Sequence, residues 1–300
     1  MRISTSQIFE TSLRAMQRQQ QGIEKSQSQL SSGQKVQKPS DDPIGIGRTL
    51  NLENQMSSLE QYERNAQRAK STLGLQEQTL ANVGDSILRL RELALQGGSP
   101  TNDTRERTML AGEVKAQVNI LMGLVNTRDD TGEYVFAGTR DDVPPFVVNA
   151  QGDVEYQGSP TARQLALNDT TTVQTRDPGD QLFLDGESNV FAAANELRQL
   201  LEGSDPNIVP ELEQVLVRLG KSQEVLNAQR ASIGNRLGQI ELTDDFNADM
   251  KLQLKQVLSD TRDADYLEAI SLFNQQVTAL EAIQKTFMQV SQLSILRFFQ

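Results

Sequence analysis

The sequence contains no cysteine, no histidine and no tryptophan. Without cysteine it has no disulfide and no thiol nucleophile, and without histidine it lacks the imidazole base and the usual zinc ligand sets. These absences disfavour most enzyme classes, so we expect no catalytic residue, no metal site and no cofactor. The lack of cysteine fits both a reducing cytosol and a surface protein without disulfides, and it leaves the compartment open.

The chain also lacks an excess of basic residues. Its net charge is -11, which argues against non-specific binding to nucleic acid. The charge is uneven: residues 1–40 carry six Lys or Arg and two Glu, whereas residues 131–190 carry three Arg and ten Asp or Glu. We expect the acidic central segment to be solvated, and we expect the N-terminus to pack on a helix rather than on a membrane surface.

Long apolar runs are missing as well. No stretch approaches the roughly 18 consecutive apolar residues that a membrane span needs. The first residues, MRISTSQIFETSLRAM, contain neither an apolar core nor a small-residue cleavage site. We therefore expect no membrane insertion and no cleaved signal peptide.

Both ends of the chain have the pattern of long amphipathic helices. An apolar stripe on one helix needs a partner helix to cover it. Polar Gln20 and Gln27 complete the N-terminal 4-3 frame, and we expect them to weaken the pairing and to help set its register. The remaining stripe positions are the predicted subunit-interface residues: Phe9, Leu13, Met16, Ile23, Leu30, Ile270, Phe273, Val277, Leu280, Phe287 and Val290.

Between the ends, the pattern predicts helices, then strands, then helices. Apolar residues recur every seven positions from Leu52 to Ala94, in a helix about 80 Å long at 1.5 Å per residue. The predicted fold is mainly α: an elongated rod of long antiparallel helices, with coiled-coil termini, a helical bundle and a small β-rich insertion at the outer tip. A bundle in which the insertion folds back is the alternative.

The predicted boundaries follow from these patterns. Residues 1–40 and 265–300 are terminal coiled-coil assembly segments, expected to be disordered in the monomer, and residues 41–130 and 190–264 are the helical rod. Residues 131–189 are the β-rich outer domain. Its strands are predicted at residues 134–136, 146–148 and 154–156, with further candidates at residues 165–175 and 182–184.

Two groups of residues resemble functional motifs but fit structural roles better. Gly220-Lys221-Ser222 looks like the end of a phosphate-binding loop, but the first glycine of that motif is replaced by Val215 and the position is in mid-helix. Paired acids at 41–42, 129–130, 141–142 and 244–245 suggest glycosidase chemistry. They stand beside Pro, Thr, Gly and Arg, where acids cap helices and start turns, so we favour capping.

Several motifs together resemble bacterial flagellins. The stretch Gln29-Leu-Ser-Ser-Gly-Gln-Lys-Val-Gln-Lys-Pro-Ser-Asp-Asp-Pro43 is similar to their N-terminal signature, and Arg230-Ala-Ser-Ile-Gly-Asn-Arg-Leu237 to their C-terminal helix motif. Asp263-Ala-Asp265 and Gln289-Val-Ser-Gln-Leu293 resemble the start and end of the last flagellin helix. Within that superfamily, Thr131-Gly-Glu-Tyr-Val-Phe-Ala-Gly-Thr139 resembles the family of hook-filament junction proteins, the hook-associated protein 3 family.

The resemblance implies a structural role in the flagellum. Members of that family form a ring of subunits between the hook-side junction protein and the first flagellin. They leave the cell unfolded through the flagellar type III channel, and an export chaperone holds their C-terminal helices. A filament-forming flagellin, a cytosolic coiled-coil scaffold and a secreted enzyme remain as alternatives.

Overall fold

A computed structural model describes residues 5–40, 42–99, 102–203, 205 and 207–298, and it describes side chains for all of these except residues 5, 6, 8 and 290–298. The helices are α1 (Thr5–Ser32), α2 (Pro43–Gly97), α3 (Thr104–Val125), α4 (Asp180–Phe183), α5 (Val190–Glu202), α6 (Val209–Arg262) and α7 (Tyr266–Phe298). The strands are β1 (Phe146–Val148), β2 (Val154–Tyr156), β3 (Arg163–Ala166) and β4 (Thr172–Arg176). The predicted mainly-α fold with a small β region is confirmed.

The chain divides into two compact units. The terminal unit comprises residues 1–58 and 249–300, and the central unit comprises residues 59–248. Helices α2 and α6 each contribute to both units. The hydrophobic core of the central unit extends from Ala66 to Ile240.

Helix α2 forms because its apolar residues keep a heptad spacing and its first turn is capped. The Asp42 carboxylate accepts hydrogen bonds from the backbone N–H groups of Ile44 (3.1 Å) and Gly45 (2.9 Å), as the Asp-Pro signal predicts. Leu73 and Leu80, in the predicted stripe, are completely buried. The continuous helix from Pro43 to Gly97 confirms the long periodic pattern.

The helices α3 and α5 cover one stretch of α2. A capping box between Asp103 and Glu106 starts α3, and Val114 and Leu121 are buried in the core. At the other end of α5, Leu201 lies so close to Gly97 that a Cβ at Gly97 would be 2.3 Å from its Cδ2 atom. A larger residue at Gly97 would therefore have to displace the buried Leu201 side chain.

The β region contains two antiparallel hairpins. Strands β1 and β2 lie where they were predicted; β1 pairs with β2, and β3 pairs with β4. Two strand predictions are wrong: residues 134–136 form only an isolated bridge at Tyr134, and residues 182–183 belong to the short helix α4. Both segments bury consecutive side chains, whereas a strand with one solvated face buries alternate ones.

The β3–β4 hairpin lies along the helices of the central unit. The hydroxyl of Tyr62 on α2 donates to Asp169 (2.7 Å), and the Asn65 side chain donates to the backbone carbonyl of Ala166 (2.9 Å). From α6, the Asn247 side chain donates to the Leu167 carbonyl (2.8 Å). Within the central unit the β3–β4 hairpin and its turn therefore contact both α2 and α6.

An aromatic cluster joins the β region to the helical core. Phe146 of β1 packs against Phe183 (ring centroids 5.6 Å apart), against Tyr156 (5.3 Å) and against Phe191 of α5 (6.3 Å). Edge and tilted packing of such rings adds to the free energy of burial. The helices and the β region therefore share one core.

Some acids of the segment 131–190 are half-buried in ion pairs, contrary to the expectation of a solvated segment: Glu133 and Asp141 are examples. Arg176 on β4 is 2% exposed, and its guanidinium pairs with Asp129 (2.6 Å), Glu133 and Asp141. Arg163 adds a second bond to Asp141 (2.6 Å). A buried arginine requires such partners, because an uncompensated charge in the interior is very costly.

Two of the four acid pairs supply the capping and turn roles that the sequence predicted, through Asp42 and Asp129. The Asp129 carboxylate accepts hydrogen bonds from the backbone of Thr131 (3.0 Å) and of Glu133 (3.1 Å), and it closes a turn. Asp244 and Asp245 lie inside α6 instead, so the prediction that they mark the end of an element is wrong. Asp41 lies outside the described residues.

Candidate assembly surface

The two terminal helices pack against each other as an antiparallel pair. Near one end, the rings of Phe9 on α1 and Phe287 on α7 lie 5.0 Å apart. Near the other end, the backbone N–H of Ala264 donates to the Gly33 carbonyl (2.9 Å). As residue numbers rise along α1, the numbers of the contacting residues on α7 fall. The structure brings together the two chain ends that the sequence marked as needing partners.

The centre of this pairing is polar. The Ser26 hydroxyl, on a residue only 1% exposed, donates to the Gln276 side-chain carbonyl (2.8 Å). The Gln19 side chain donates to the Gln276 backbone carbonyl (3.1 Å). A Cβ at Gly22 would be 3.0 Å from the side-chain nitrogen of Gln276. We call Gln19, Gly22, Ser26 and Gln276 the polar seam.

The seam lies one position away from the polar slots predicted from the sequence. Gln20 and Gln27 are exposed, so the prediction that they occupy core positions of the pairing is wrong within this chain. Gln19 and Ser26 take those positions instead, because α7 packs on the side of α1 with the smaller residues. The contact between the helices thus contains polar residues, as predicted, but they are Gln19 and Ser26.

On α7 the inner stripe is regular. Ala269 is 7% exposed, whereas the neighbouring Ile270 is 47% exposed. The half-buried positions continue in a 4-3 frame through Phe273, Gln276, Leu280, Ile283 and Phe287. The predicted positions Ile270 and Val277 each lie one residue outside this frame, which uses Ala269 and Gln276 instead.

The predicted interface residues fall into two groups by exposure. Phe9, Leu13 and Ile270 are exposed, with 50%, 43% and 47% of their surface accessible. The others with described side chains are half-buried: Met16, Ile23, Leu30, Phe273, Val277, Leu280 and Phe287. Val290 lies on α7, but its side chain is outside the described residues.

A short bridge between two chain reversals anchors the helix pair. Gly33 ends α1 with a φ of +70°, a conformation that favours glycine, and its amide donates to the Gln29 carbonyl (2.8 Å). Just beyond it, Gln34 pairs with Asp263, and the Lys35 amide donates to the Arg262 carbonyl (2.7 Å). The glycine of the N-terminal motif thus lets the chain turn into this bridge.

The second reversal starts α7. The Asp265 carboxylate accepts hydrogen bonds from the amides of Leu267 (2.9 Å) and Glu268 (3.3 Å), so it is the N-cap of the helix. Tyr266 follows, and its hydroxyl lies 2.9 Å from the place where a Cβ on Gly33 would be. The Asp-Ala-Asp motif therefore positions the last helix against the end of the first.

The linker after α1 is also tied to that helix. The Ser28 hydroxyl donates to the Gln37 side-chain carbonyl (2.6 Å), and the Gln37 amide donates back to the Ser28 backbone carbonyl (2.9 Å). The Gln29 side chain donates to the Lys35 carbonyl (2.9 Å). The small and amide residues of the motif thus fold the basic linker back onto α1.

Two further motifs fasten the central unit, and the side chains of a third, residues 290–293 of the terminal segment, lie outside the described residues. In the α6 motif, Arg230 pairs with Glu77 of α2 (2.6 Å), and Arg236 forms two bonds to the buried Asp177 (2.9 and 2.8 Å). In the segment 131–139, the buried Gln76 of α2 donates to the Val135 carbonyl (2.8 Å). These motifs hold α6 and the β region against α2. Sequence periodicity did not predict these contacts, because the residues that pair are far apart in the chain.

The described part of the chain offers little for chemistry. It contains no group of three or more Asp or Glu side chains arranged to hold a metal ion. Within the same residues, no helix is long and apolar enough to cross a membrane.

Burial raises the pKa of Tyr156 to about 12, and its hydroxyl donates toward the carbonyls of Phe136 and Ser159, both at 3.0 Å. That phenol is a structural donor. Lys221 and Ser222 contact Glu187 and the Ser188 carbonyl, as expected for a helix contact rather than a phosphate loop.

Comparison with known proteins connects these features to one group of proteins. Residues 3–141 match the family model described as the bacterial flagellin N-terminal helical region. Over 315 residues the chain is 26% identical to flagellar hook-associated protein 3 of Escherichia coli (strain K12), and the match covers 98% of each chain. The protein of the same name from Salmonella typhimurium (strain LT2) is 27% identical over 319 residues, again with 98% of each chain covered.

A solved structure extends the comparison to the fold. Flagellar hook-associated protein-3 from Legionella pneumophila is similar to this chain with a TM-score of 0.65 at 19% identity, over 70% of this chain and 97% of that one. The two proteins therefore share a fold. Together with the sequence matches, this confirms the resemblance that the motifs predicted.

Proposed function

Because this chain is a relative of the bacterial flagellins and, along nearly its whole length, of hook-associated protein 3, we propose that it is a structural subunit of the bacterial flagellum. Its role is that of an adaptor between the hook side and the flagellin filament, and it is not an enzyme. The observation that carries this proposal is the 98% coverage of both chains in the match to hook-associated protein 3. The flagellins match through shorter segments, such as 112 residues of a Borreliella burgdorferi filament protein.

In this proposal the subunits form a ring through their terminal segments, residues 1–40 and 265–300. The middle segments, 41–130 and 190–264, carry the helical core, and residues 131–189 are the outer domain. Phe9, Leu13 and Ile270 make contacts with neighbouring copies, since about half of each side chain is accessible in the single chain. Exposed apolar side chains of this size gain free energy when a partner covers them.

Export and assembly follow the same logic. The chain leaves the cell unfolded through the flagellar type III pathway, and a chaperone holds its C-terminal helix beforehand. The apolar positions of α7, such as Phe273 and Leu280, are half-buried in the described terminal unit, where α7 packs on α1. A chain that has not yet folded exposes them, and a chaperone would cover them. The absence of cysteine suits this route, because no disulfide has to be opened.

Deletion of the gene, followed by complementation, tests the proposal. The deletion should leave hooks without filaments and release monomeric flagellin into the medium, and the wild-type chain should restore filaments. Leu13→Asp should fail to restore them although its central unit unfolds at the wild-type temperature. The control Gln17→Asp, at an exposed position outside the apolar stripe, should restore them. Normal filaments in the deletion strain would refute the proposal, and long filaments grown from the purified chain alone would favour a flagellin.

A further inference from the structure

The polar seam is an unusual centre for a helix contact between two amphipathic helices. Apolar residues would give a stronger contact, whereas buried polar residues weaken it and fix its alignment. Gly22 is the only glycine in α1, and glycine in mid-helix lowers helix stability. Its presence under Gln276 needs a reason, and the close approach of that side chain provides one.

In the observed alignment of α7 on α1, Gln276 has hydrogen-bond partners on both sides. In the observed alignment, the side chain lies over Gly22, with Gln19 and Ser26 as hydrogen-bond partners on either side. A slip of one heptad toward the start of α1 would place it over Ala15. A slip of one heptad the other way would place it over Gln29, whose long side chain would fill the space. Neither alternative combines a gap with a flanking hydroxyl group in the observed order.

The anchoring bridge favours the same alignment. The contact between Gly33 and Ala264 lies 11 residues from Gly22 along α1 and 12 residues from Gln276 along α7. At 1.5 Å per residue both arms are about 17 Å long, so the bridge and the seam match without distortion. The C-terminal helix of a neighbouring copy would lack the covalent connection to this bridge. The bridge would therefore not hold that helix in the observed alignment.

We propose that the polar seam sets the register of α1 on α7 and selects the C-terminal helix of the same chain as the partner of α1. The hydrogen bonds of Gln276 depend on this alignment, and Gly22 leaves the space that the Gln276 side chain occupies. This inference depends on the assembly role proposed above only for its consequence in cells. That consequence is that the apolar stripes of α1 and α7 stay available to neighbouring copies.

Engineered cysteine pairs can test this in the purified full-length chain, because the natural sequence contains no cysteine. Phe9→Cys with Phe287→Cys reports the observed register, since those rings are 5.0 Å apart. Phe9→Cys with Leu280→Cys reports a slip of one heptad. Under mild oxidation, the ratio of the two cross-linking yields measures the register even if the pair opens and closes. Gel mobility separates a bond within one chain from a bond between two chains.

The seam should make the observed-register cross-link dominate, within single chains. Gly22→Gln fills the gap and should lower the ratio by about tenfold, the scale of one buried hydrogen bond. Ser26→Ala, a milder change that favours helix, should lower it in the same direction. Glu24→Gln, exposed on the same helix, should leave it unchanged. Gly22→Gln combined with Gln276→Ala returns one long and one short side chain to the contact and should recover much of the ratio.

Three results would overturn the inference. The first is a ratio that Gly22→Gln leaves unchanged, and the second is a wild-type chain that gives equal yields for both pairs. The third is cross-linking mainly between two chains, which would mean that α1 selects a neighbour's helix. None of these results bears on hook and filament formation in the deletion strain, so a failure here is distinguishable from a failure of the proposed function.

Discussion

At the scale of single residues, Arg176 holds the β region together. Its buried guanidinium pairs with Asp129 and Glu133, which lie in one turn, and with Asp141, which follows later in the chain. Arg176→Met should destabilise the central unit by about 3 kcal/mol, because it leaves three partly buried acids without their main partner. Urea unfolding measures this loss. The exposed Arg64→Met is the control and should change stability by less than about 0.5 kcal/mol. Equal midpoints for the two variants would contradict the structural role of Arg176.

The same cluster predicts how stability depends on pH. Burial acts to raise the pKa of the Asp129 carboxyl, but hydrogen bonds from Thr131, Arg176 and the Glu133 backbone outweigh it, so the pKa lies below its ordinary value of 3.8. A carboxyl with a lowered native pKa stabilises the fold above its unfolded pKa, and this contribution is lost as the pH falls through the native value. The free energy of unfolding should therefore fall as the pH drops below about 4. Asp129→Asn should show a shallower fall in urea titrations, and an identical slope would refute this origin.

At the scale of elements, the reversal at Gly33 controls how the terminal helices meet. Gly33→Ala forces a side chain into a left-handed conformation and places its Cβ 2.9 Å from the Tyr266 hydroxyl. It should cost about 1–2 kcal/mol. We expect faster hydrogen exchange at the amides of Lys35 and Ala264, which form the bridge.

Gly47→Ala is the matched control for this change. Gly47 lies in the helical part of α2 with open space around it, so alanine there should stabilise the helix by about 0.5–1 kcal/mol. Unchanged exchange at the bridge amides in Gly33→Ala would mean that the reversal does not hold the helices.

The helices could be predicted from the sequence because their signals are local. Heptad spacing from Leu52 to Ala94 and the Asp42-Pro43 cap define α2, and the structure matches both. Strands β1 and β2 could be predicted from short apolar runs between turns. The helical state of residues 182–183 could not be predicted, because two adjacent apolar residues fit either a strand or a helix. In the structure both are buried and belong to α4.

Pairings between distant residues could not be predicted from the same patterns. Arg176 lies 47 positions from Asp129 and 35 from Asp141, and no periodicity connects them. The polar seam was missed by one position, because the sequence marks the more apolar side of α1 and the structure uses the side with small residues. Which face pairs within the chain depends on both helices together.

At the scale of the whole molecule, the central unit has a hydrophobic core of its own. Its buried residues lie between Ala66 and Ile240. Removal of residues 281–300 should therefore leave cooperative thermal unfolding of the central unit intact while it abolishes assembly. Circular dichroism of the truncated chain checks the first expectation, and complementation of the deletion strain checks the second. Loss of cooperative unfolding would contradict the independence of the central unit.

The most direct test of the adaptor role is the position of the protein in the flagellum. Gln151→Cys places one cysteine in the exposed turn between β1 and β2, where the backbone amide of residue 151, not its side chain, makes the described hydrogen bond. A thiol-reactive gold label on intact flagella can then be located by electron microscopy. The adaptor role predicts a short labelled band at the boundary between hook and filament. Label along the whole filament, or none at that boundary, would contradict it.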